Sequence, residues 1–443
     1  MALQTGEGVA IAPPAATRTT SRLFPWAVFT LTFALLLSDY MSRQVLSAVF
    51  PFLKTEWALT DTQLGSLTSI VALTVGILAA PLSLLGDRWG RVNSIVIMAI
   101  VWSLATVGSA LAAGYGQLLL ARFLIGLGEA AYGSVGLAVV LAVFAPHRRA
   151  SLTGAFMAGG SFGSVLGVAL GGVFAVQFGW RWAFAIMGIL GLVLAVLYRA
   201  MISERKLDAH RVPEPAGESP ALAAGQRARL STLFSTPAVV LAYIGGGLQL
   251  FIAGSLFAWL PSYLNRAYGM APDRAGGVAA IFILILGAGM VGCGMITDRL
   301  SRTKPMHKWN TAIAFALTSL VLLGVGFAVA PGGLQMALLA AGCFFAAGTT
   351  GPTGAMVARL THESIRATAF GIYTFFNNLL GLAAGPLITG ALADRFGLET
   401  AMRYVPLVAV AAAVFLYLGR RAYPSSLQRL AAAGVGGTAK GEA

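Results

Sequence analysis

Charge is what this chain has least of. Asp, Glu, Lys and Arg together make up only 10% of it, against roughly 25% in an average soluble protein. That shortage excludes a fold whose whole outer surface is water-facing. Cysteine is nearly missing as well. Cys293 and Cys343 both fall inside apolar runs, which excludes a disulfide framework. Histidine is as sparse: His147, His210, His307 and His362 fall in or at the edges of separate polar loops, too scattered for a metal site. No glycine-rich loop ends in Lys-Ser or Lys-Thr, so nothing points to nucleotide hydrolysis. No residue pattern marks an enzyme, and no cofactor is expected.

What the chain has instead is apolar length. Hydrophobic residues make up 57% of it, gathered into runs of about twenty, the length that crosses a bilayer as helix. Twelve spans are read at 24–50, 61–84, 93–113, 117–143, 151–176, 182–203, 236–264, 275–297, 309–330, 334–358, 367–392 and 402–419. The fold class is an all-α polytopic membrane protein. Residues 1–23 contain Pro13 and Pro14 and no apolar core, and read as a disordered tail. Residues 24–203 form a first six-helix bundle. A polar linker over 204–235 is punctuated by Pro213, Pro215 and Pro220, and is followed by a second bundle over 236–420 and a tail over 421–443. Thr60-Asp61-Thr62-Gln63 has the pattern of a capping box and predicts a sharp start to span two.

The net charge of +14 raises nucleic acid as a partner, and its distribution excludes it. With the N-terminus inside, the loops and tails on that face hold twenty-two Lys and Arg and the opposite loops six. This positive-inside bias puts both termini in the cytoplasm of a bacterial inner membrane. The bilayer is the expected partner, the protein is expected to be monomeric, and the tryptophans at span ends, Trp26 and Trp309, are expected to anchor at the interface.

The halves repeat. Asp87-Arg88-x-Gly90-Arg91 returns as Asp298-Arg299-x-Ser301-Arg302, and Arg149-Ala150-Ser151-x-x-Gly154 returns as Arg366-Ala367-Thr368-x-x-Gly371. Pro51 is matched by Pro261, and all three pairs share an offset of 210 to 217 residues. Parallel repeats of this kind place a substrate site at mid-membrane between the halves. The first loop, Ser83-x-x-x-Asp87-Arg88-Trp89-Gly90-Arg91-Val92, resembles the signature of the major facilitator superfamily, without its opening glycine and closing basic residue. The second copy keeps Gly294, Asp298, Arg299 and Arg302. The resemblance implies the two-bundle facilitator fold and a conformational latch formed by Asp87, Arg88, Gly90, Arg91, Gly294, Asp298, Arg299 and Arg302.

By this reading four charges lie deep inside spans: Asp39 and Arg43 in span one, Arg122 and Glu129 in span four. Each costs about 2.5–3.5 kcal/mol to insert. Arg122 and Glu129 are two helical turns apart on one face, with Gly126 and Gly128 between them to admit a close neighbour. Arg122-x-x-x-Gly126-x-Gly128-Glu129-Ala130 resembles span four of the spinster-like lipid transporters and of the neighbouring anion:cation symporters. Trp259-Leu260-Pro261-Ser262-Tyr263-Leu264-x-Arg266 and Asn378-Leu379-x-Gly381 lean toward the spinster branch. Those families usually read Asn-Tyr-x-Asp-Arg in span one, where this chain has Asp39-Tyr40-Met41-Ser42-Arg43. The family fold sets spans one and four side by side. The four charges are therefore expected in one buried, net-neutral cluster, with Glu129 and Asp39 carrying the coupling proton and the two arginines switching them.

Tyr40, Gln249, Trp259, Tyr373, Asn377 and Asn378 are the candidate cavity lining, the last five from an uncharged second half. A charged wall facing an apolar one suits an amphipathic, lysolipid-like organic anion. The expected activity is proton-coupled secondary transport driven by the ion gradient, with sodium as the other candidate ion. The alternatives are a proton symporter for a small organic or sugar acid and a drug efflux antiporter. Span five lacks the glycine–proline pair of the drug antiporters. It carries instead Gly159, Gly163, Gly167 and Gly171, a spacing that predicts a close helix contact. Gly179-Trp180-Arg181 is read as a structural corner.

Overall fold

The structure is a computed structural model, which describes residues 23–212, 234, 236–302, 306–362 and 365–435. The expected N-tail up to Arg22, most of the linker (213–233 and 235) and the end of the C-tail (436–443) lie outside the described residues. The side chains of Asp87 and Arg88 in the expected latch lie outside them too.

Twelve spans are present, long and apolar enough to cross a membrane. The first half comprises Phe24–Trp57, Asp61–Trp89, Arg91–Ala110, a broken span four of Tyr115–Glu129 and Tyr132–Ala142, Pro146–Phe178 and Trp180–Met201. The second half begins with Pro237–Tyr268, Pro272–Leu300, His307–Ala328 and a broken span ten of Gly333–Ala346 and Thr350–Arg359. Span eleven runs through Arg366–Phe376, a π-helical turn Asn377–Ala383 and Ala384–Phe396. Span twelve is Leu398–Tyr404, Val405–Leu407 and Val408–Val435, continuing past the expected end at 419. The breaks in spans four and ten match each other, as the repeat requires. Pro51 and Pro261 both sit inside their helices near the same end.

Local signals operate as the sequence predicts. Thr60 Oγ1 accepts from Gln63 N at 3.1 Å and Gln63 Oε1 accepts from Thr60 N at 3.0 Å, a complete capping box. Gly179 adopts φ +91, where a side chain would be strained. The corner it makes lets Trp180 Nε1 and Arg181 Nη1 donate to Glu56 at 2.6 and 2.7 Å, tying span six to span one. The span-five glycines do form a close contact, and the partner is span one. A Cβ on Gly163 would meet the Leu37 carbonyl, and one on Gly167 the Met41 backbone.

The halves close on each other at the face opposite the termini. A Cβ on Gly65 of span two would meet the Pro386 carbonyl of span eleven, and one on Gly172 of span five the Pro272 carbonyl of span eight. The hydrogen bonds that join the halves among the described residues, Asp61 with Arg266 and Asp394 and Ser69 with the Ala383 carbonyl, gather toward this face. The molecule is therefore shut there, and we read the terminal face, where Asp298, Arg299 and Arg302 are exposed, as the parted one.

Trp309 departs from the interfacial role expected of it. It is fully buried, with its ring 6.2 Å from that of Tyr423 and with Gly419 beneath it. The prolonged twelfth helix covers it. Trp26 is about half exposed.

Candidate functional site

Span four meets its neighbours through its two glycines. Gly126 lies on Val71 and Thr74 of span two, and Gly128 on Trp102 of span three. Its first segment thus packs against spans two and three and reaches span one through its charged side chains. Its second segment lies along span one, where Tyr132 Oη donates to Thr32 O at 2.6 Å and Gly136 lies on Thr32. The glycine–glycine face was legible in the sequence, whereas the identity of the neighbours was not.

Those side chains have unequal tasks. Arg43 Nε lies between the two carboxylate oxygens of Glu129, at 3.0 Å from Oε1 and 2.9 Å from Oε2. The carboxyl of Asp39, one turn before Arg43, lies within electrostatic reach of Glu129 and Arg43, and its Oδ1 is buried with no partner among the described residues. Arg122 is 1% exposed and spends its donors on main chain. Nε donates to Leu67 O at 3.3 Å, Nη1 to Ser42 O at 3.1 Å and Nη2 to Arg43 O at 3.0 Å. Arg122 stands within electrostatic reach of Glu129 and Arg43 without a direct ion pair among the described residues, and serves the cluster as a brace joining span four to spans one and two. A helical carbonyl keeps a second lone pair that can accept from such a fork, and sequence offers no way to foresee that choice.

A cavity of about 100 Å³ opens beside this cluster, between the halves. Tyr40, Arg43, Gln44, Thr68 and Arg122 line it from the first half, with Gly254, Phe257, Leu382 and Pro386 from the second. The second-half wall is uncharged, as anticipated. The Arg43 side chain is 18% exposed. With Nε taken by Glu129, its terminal nitrogens have no hydrogen-bond partner among the described residues. The guanidinium carbon also stands 5.6 Å from the Tyr40 ring centroid, within cation–π range. Thr68 Oγ1 is buried and unpartnered among the described residues.

Of the six cavity candidates, Tyr40 alone lines this space. Gln249 is fully buried inside the second half, donating from Nε2 to Ser319 Oγ at 2.9 Å and Ala346 O at 3.1 Å. Trp259 is fully buried too. Its Nε1 donates to Pro386 O at 2.9 Å and its ring lies 5.2 Å from that of Phe50, so it seals the closed end. Tyr373 donates to Thr350 O at 3.1 Å and pairs with Thr353 Oγ1 at 2.7 Å. Asn377 and Asn378 begin the π-helical turn, and Asn378 sits over Gly76 of span two. Gln249, Trp259 and Tyr373 bond within their own bundle, one way in which a polar side chain avoids lipid, while Gln249 Oε1 and Asn377 Oδ1 are buried without a partner among the described residues. Gln44, Thr68 and Phe257 were missed. Gln44 stands next to Arg43 and Phe257 two residues before Trp259, and the helical phase that decides which side chain faces inward is not fixed by sequence alone.

In the latch, Gly90 adopts φ +88 and stands against Glu204, whose Oε1 accepts from Val92 N at 2.7 Å. Asp298, Arg299 and Arg302 are exposed at the parted face, with no ion pair among the described residues.

Twelve spans in two bundles, closed at one face over a mid-membrane cavity with buried charge, are the form of a membrane transporter. The chain belongs to the Major Facilitator Superfamily, whose family model matches residues 32–345. Among its relatives, a hexuronate transporter of Bacillus subtilis (strain 168) is 26% identical over 368 residues, 81% of this chain and 86% of that one. Protein spinster homolog 1 of Bos taurus is 28% identical over 381 residues, 81% of this chain and 71% of the other. A solved bacterial homolog of the human lysosomal transporter spinster, inward-facing and unoccupied, superposes with TM-score 0.83 at 19% identity, covering 92% of this chain and 99% of that one. A D-xylose–proton symporter shares the fold at TM-score 0.71 and 18% identity, covering 89% of this chain and 97% of that one.

Proposed function

We propose that the protein is a proton-coupled secondary transporter that moves an amphipathic organic anion by alternating access. The observation that carries this reading is the divided state of Arg43: one nitrogen on Glu129, the others toward the cavity. An anion entering the cavity competes with Glu129 for Arg43. As Arg43 turns toward the anion, Glu129 and Asp39 are left facing each other, and two carboxylates so close repel unless one proton sits between them. Substrate and proton then enter together and leave the net charge of the site unchanged, where an anion alone would add a charge that is costly within a membrane.

The substrate is a lysolipid-like anion, with its head at Arg43 and its apolar body on Phe257, Leu382 and Pro386. The spinster relatives and the uncharged second-half wall support this. A second reading, a small sugar acid, is favoured by the polar groups at the cavity. Tyr40, Gln44 and Thr68 offer hydrogen bonds suited to hydroxyls. The hexuronate relative fits that alternative. Both termini are placed in the cytoplasm by the Lys and Arg distribution, so the parted face is the inner one. The exposed latch residues are then free, and the latch belongs to the outward-open state.

The test is uptake into proteoliposomes with an imposed pH gradient, using lysophospholipid and hexuronate side by side. Gradient-driven uptake of the lysolipid supports the main reading. Uptake of hexuronate alone moves the assignment to the second, and no gradient dependence for either ends the coupling proposal.

A further inference from the structure

The closed face holds a set of charges that the transport site does not use. Asp61, the first residue of span two, is 2% exposed. Its carboxylate takes both terminal nitrogens of Arg266 in span seven, Nη1 to Oδ2 at 2.8 Å and Nη2 to Oδ1 at 2.7 Å, the two-pronged geometry that makes arginine pairs strong. Lys54 of span one adds a third bond at 2.7 Å. In the other direction, Asp394 of span eleven accepts from Asp61 N at 2.7 Å, Thr62 N at 2.8 Å and Thr62 Oγ1 at 2.5 Å. A carboxylate from the second half thus caps the N-terminus of a first-half helix, where the unpaired N–H groups and the helix dipole both favour negative charge. Each half sends one carboxylate into the other.

We propose that Asp61–Arg266 and Asp394–span two form a reciprocal clasp that holds this face shut and is released as a unit when the transporter opens there. The arrangement is built to separate. Lys54 belongs to the same half as Asp61, so the buried carboxylate keeps a cation when Arg266 leaves. The capping box of Thr60 and Gln63 is wholly local, so span two keeps a cap when Asp394 departs. The bonds that break on opening join the two halves, whereas those that survive lie within one. Below the clasp, Phe50 and Trp259 form a second, apolar seal over the cavity. The clasp is therefore the outer of two layers.

The experiment reads opening directly and depends on neither substrate nor coupling ion. Ser262 lies between Trp259 and Arg266 on one face of span seven and is 1% exposed. Ser262→Cys is made in a Cys293→Ala, Cys343→Ala background, and its reaction with a hydrophilic maleimide is timed on purified protein in detergent. Asp61→Asn, Asp394→Asn and, from the opposite partner, Arg266→Gln are each expected to speed labelling by about tenfold or more, the factor for a shift of 1.4 kcal/mol in the opening equilibrium. Glu56→Gln removes a carboxylate at the same face whose partners, Trp180 and Arg181, share its half. It should leave the rate unchanged. The proposal is overturned if the clasp variants, monodisperse on size exclusion, label no faster than the parent, or if Glu56→Gln speeds labelling equally. Thr62→Val removes only one hydroxyl from the Asp394 cap and gives an intermediate rate, a milder variant that serves if Asp394→Asn does not fold.

Discussion

Arg43 holds Glu129 through a single nitrogen: Nε stands 2.9 Å from Oε2 and 3.0 Å from Oε1, and the rest of the guanidinium is left to the cavity. In the proposed cycle this cation is shared between the resident acid and the entering anion. The two arginines differ in their partners, since Arg122, which also borders the cavity, donates to three main-chain carbonyls and makes no direct ion pair among the described residues.

Arg43→Lys should raise the substrate KM by about tenfold or more, because an ammonium on a flexible stem lacks the planar fork that binds a carboxylate through two parallel bonds. Measured by uptake at fixed pH, an unchanged KM would remove Arg43 as the anion receptor.

Arg122→Met should chiefly lower stability. Hydrogen bonds between membrane helices contribute about 0.6–1.7 kcal/mol each, and this substitution removes three. A destabilisation of roughly 2–5 kcal/mol is expected, seen as a lower melting temperature. Protein that survives at low temperature should bind substrate with near-parental affinity.

Gly167→Val should be destabilising by about 1–3 kcal/mol through overpacking. Its Cβ would meet the Met41 carbonyl and Cα at 2.7 and 2.8 Å, and backbone gives way far less readily than a side chain. Gly324→Ala, with nothing within 4 Å of its Cβ, is the matched control and should be neutral or slightly stabilising in the same melting experiment.

Much of this molecule was legible in its sequence. Twelve apolar runs, a shared offset between motifs and two glycine patterns are one-dimensional signals, and they specify the bundles, the span-five contact and the capping box. The buried charges were legible too, because a charge in a bilayer stands out from its neighbours. Their pairing was not. Asp39, Arg43 and Glu129 group as expected, while Arg122 turns to the carbonyls of Leu67, Ser42 and Arg43, which every sequence possesses and none advertises. The cavity lining was the least legible part. Gln249 and Tyr373 look like substrate ligands by residue type, yet inside a membrane a polar side chain also serves to bind a neighbouring helix, and these two do so. Asp61, Arg266 and Asp394 sit at span ends, where charge is ordinary, and only the three-dimensional closure makes them a set.

The most direct test of the coupling proposal is the pH dependence of uptake by Glu129→Gln. Glutamine keeps the shape and a hydrogen-bonding group but cannot take up or release a proton. With substrate on both sides of a proteoliposome membrane, the variant should still exchange it, while an imposed pH gradient should no longer drive accumulation. If Glu129→Gln accumulates substrate with the parental response to the gradient, Glu129 is not the proton carrier and the account given for Arg43 and Asp39 is wrong.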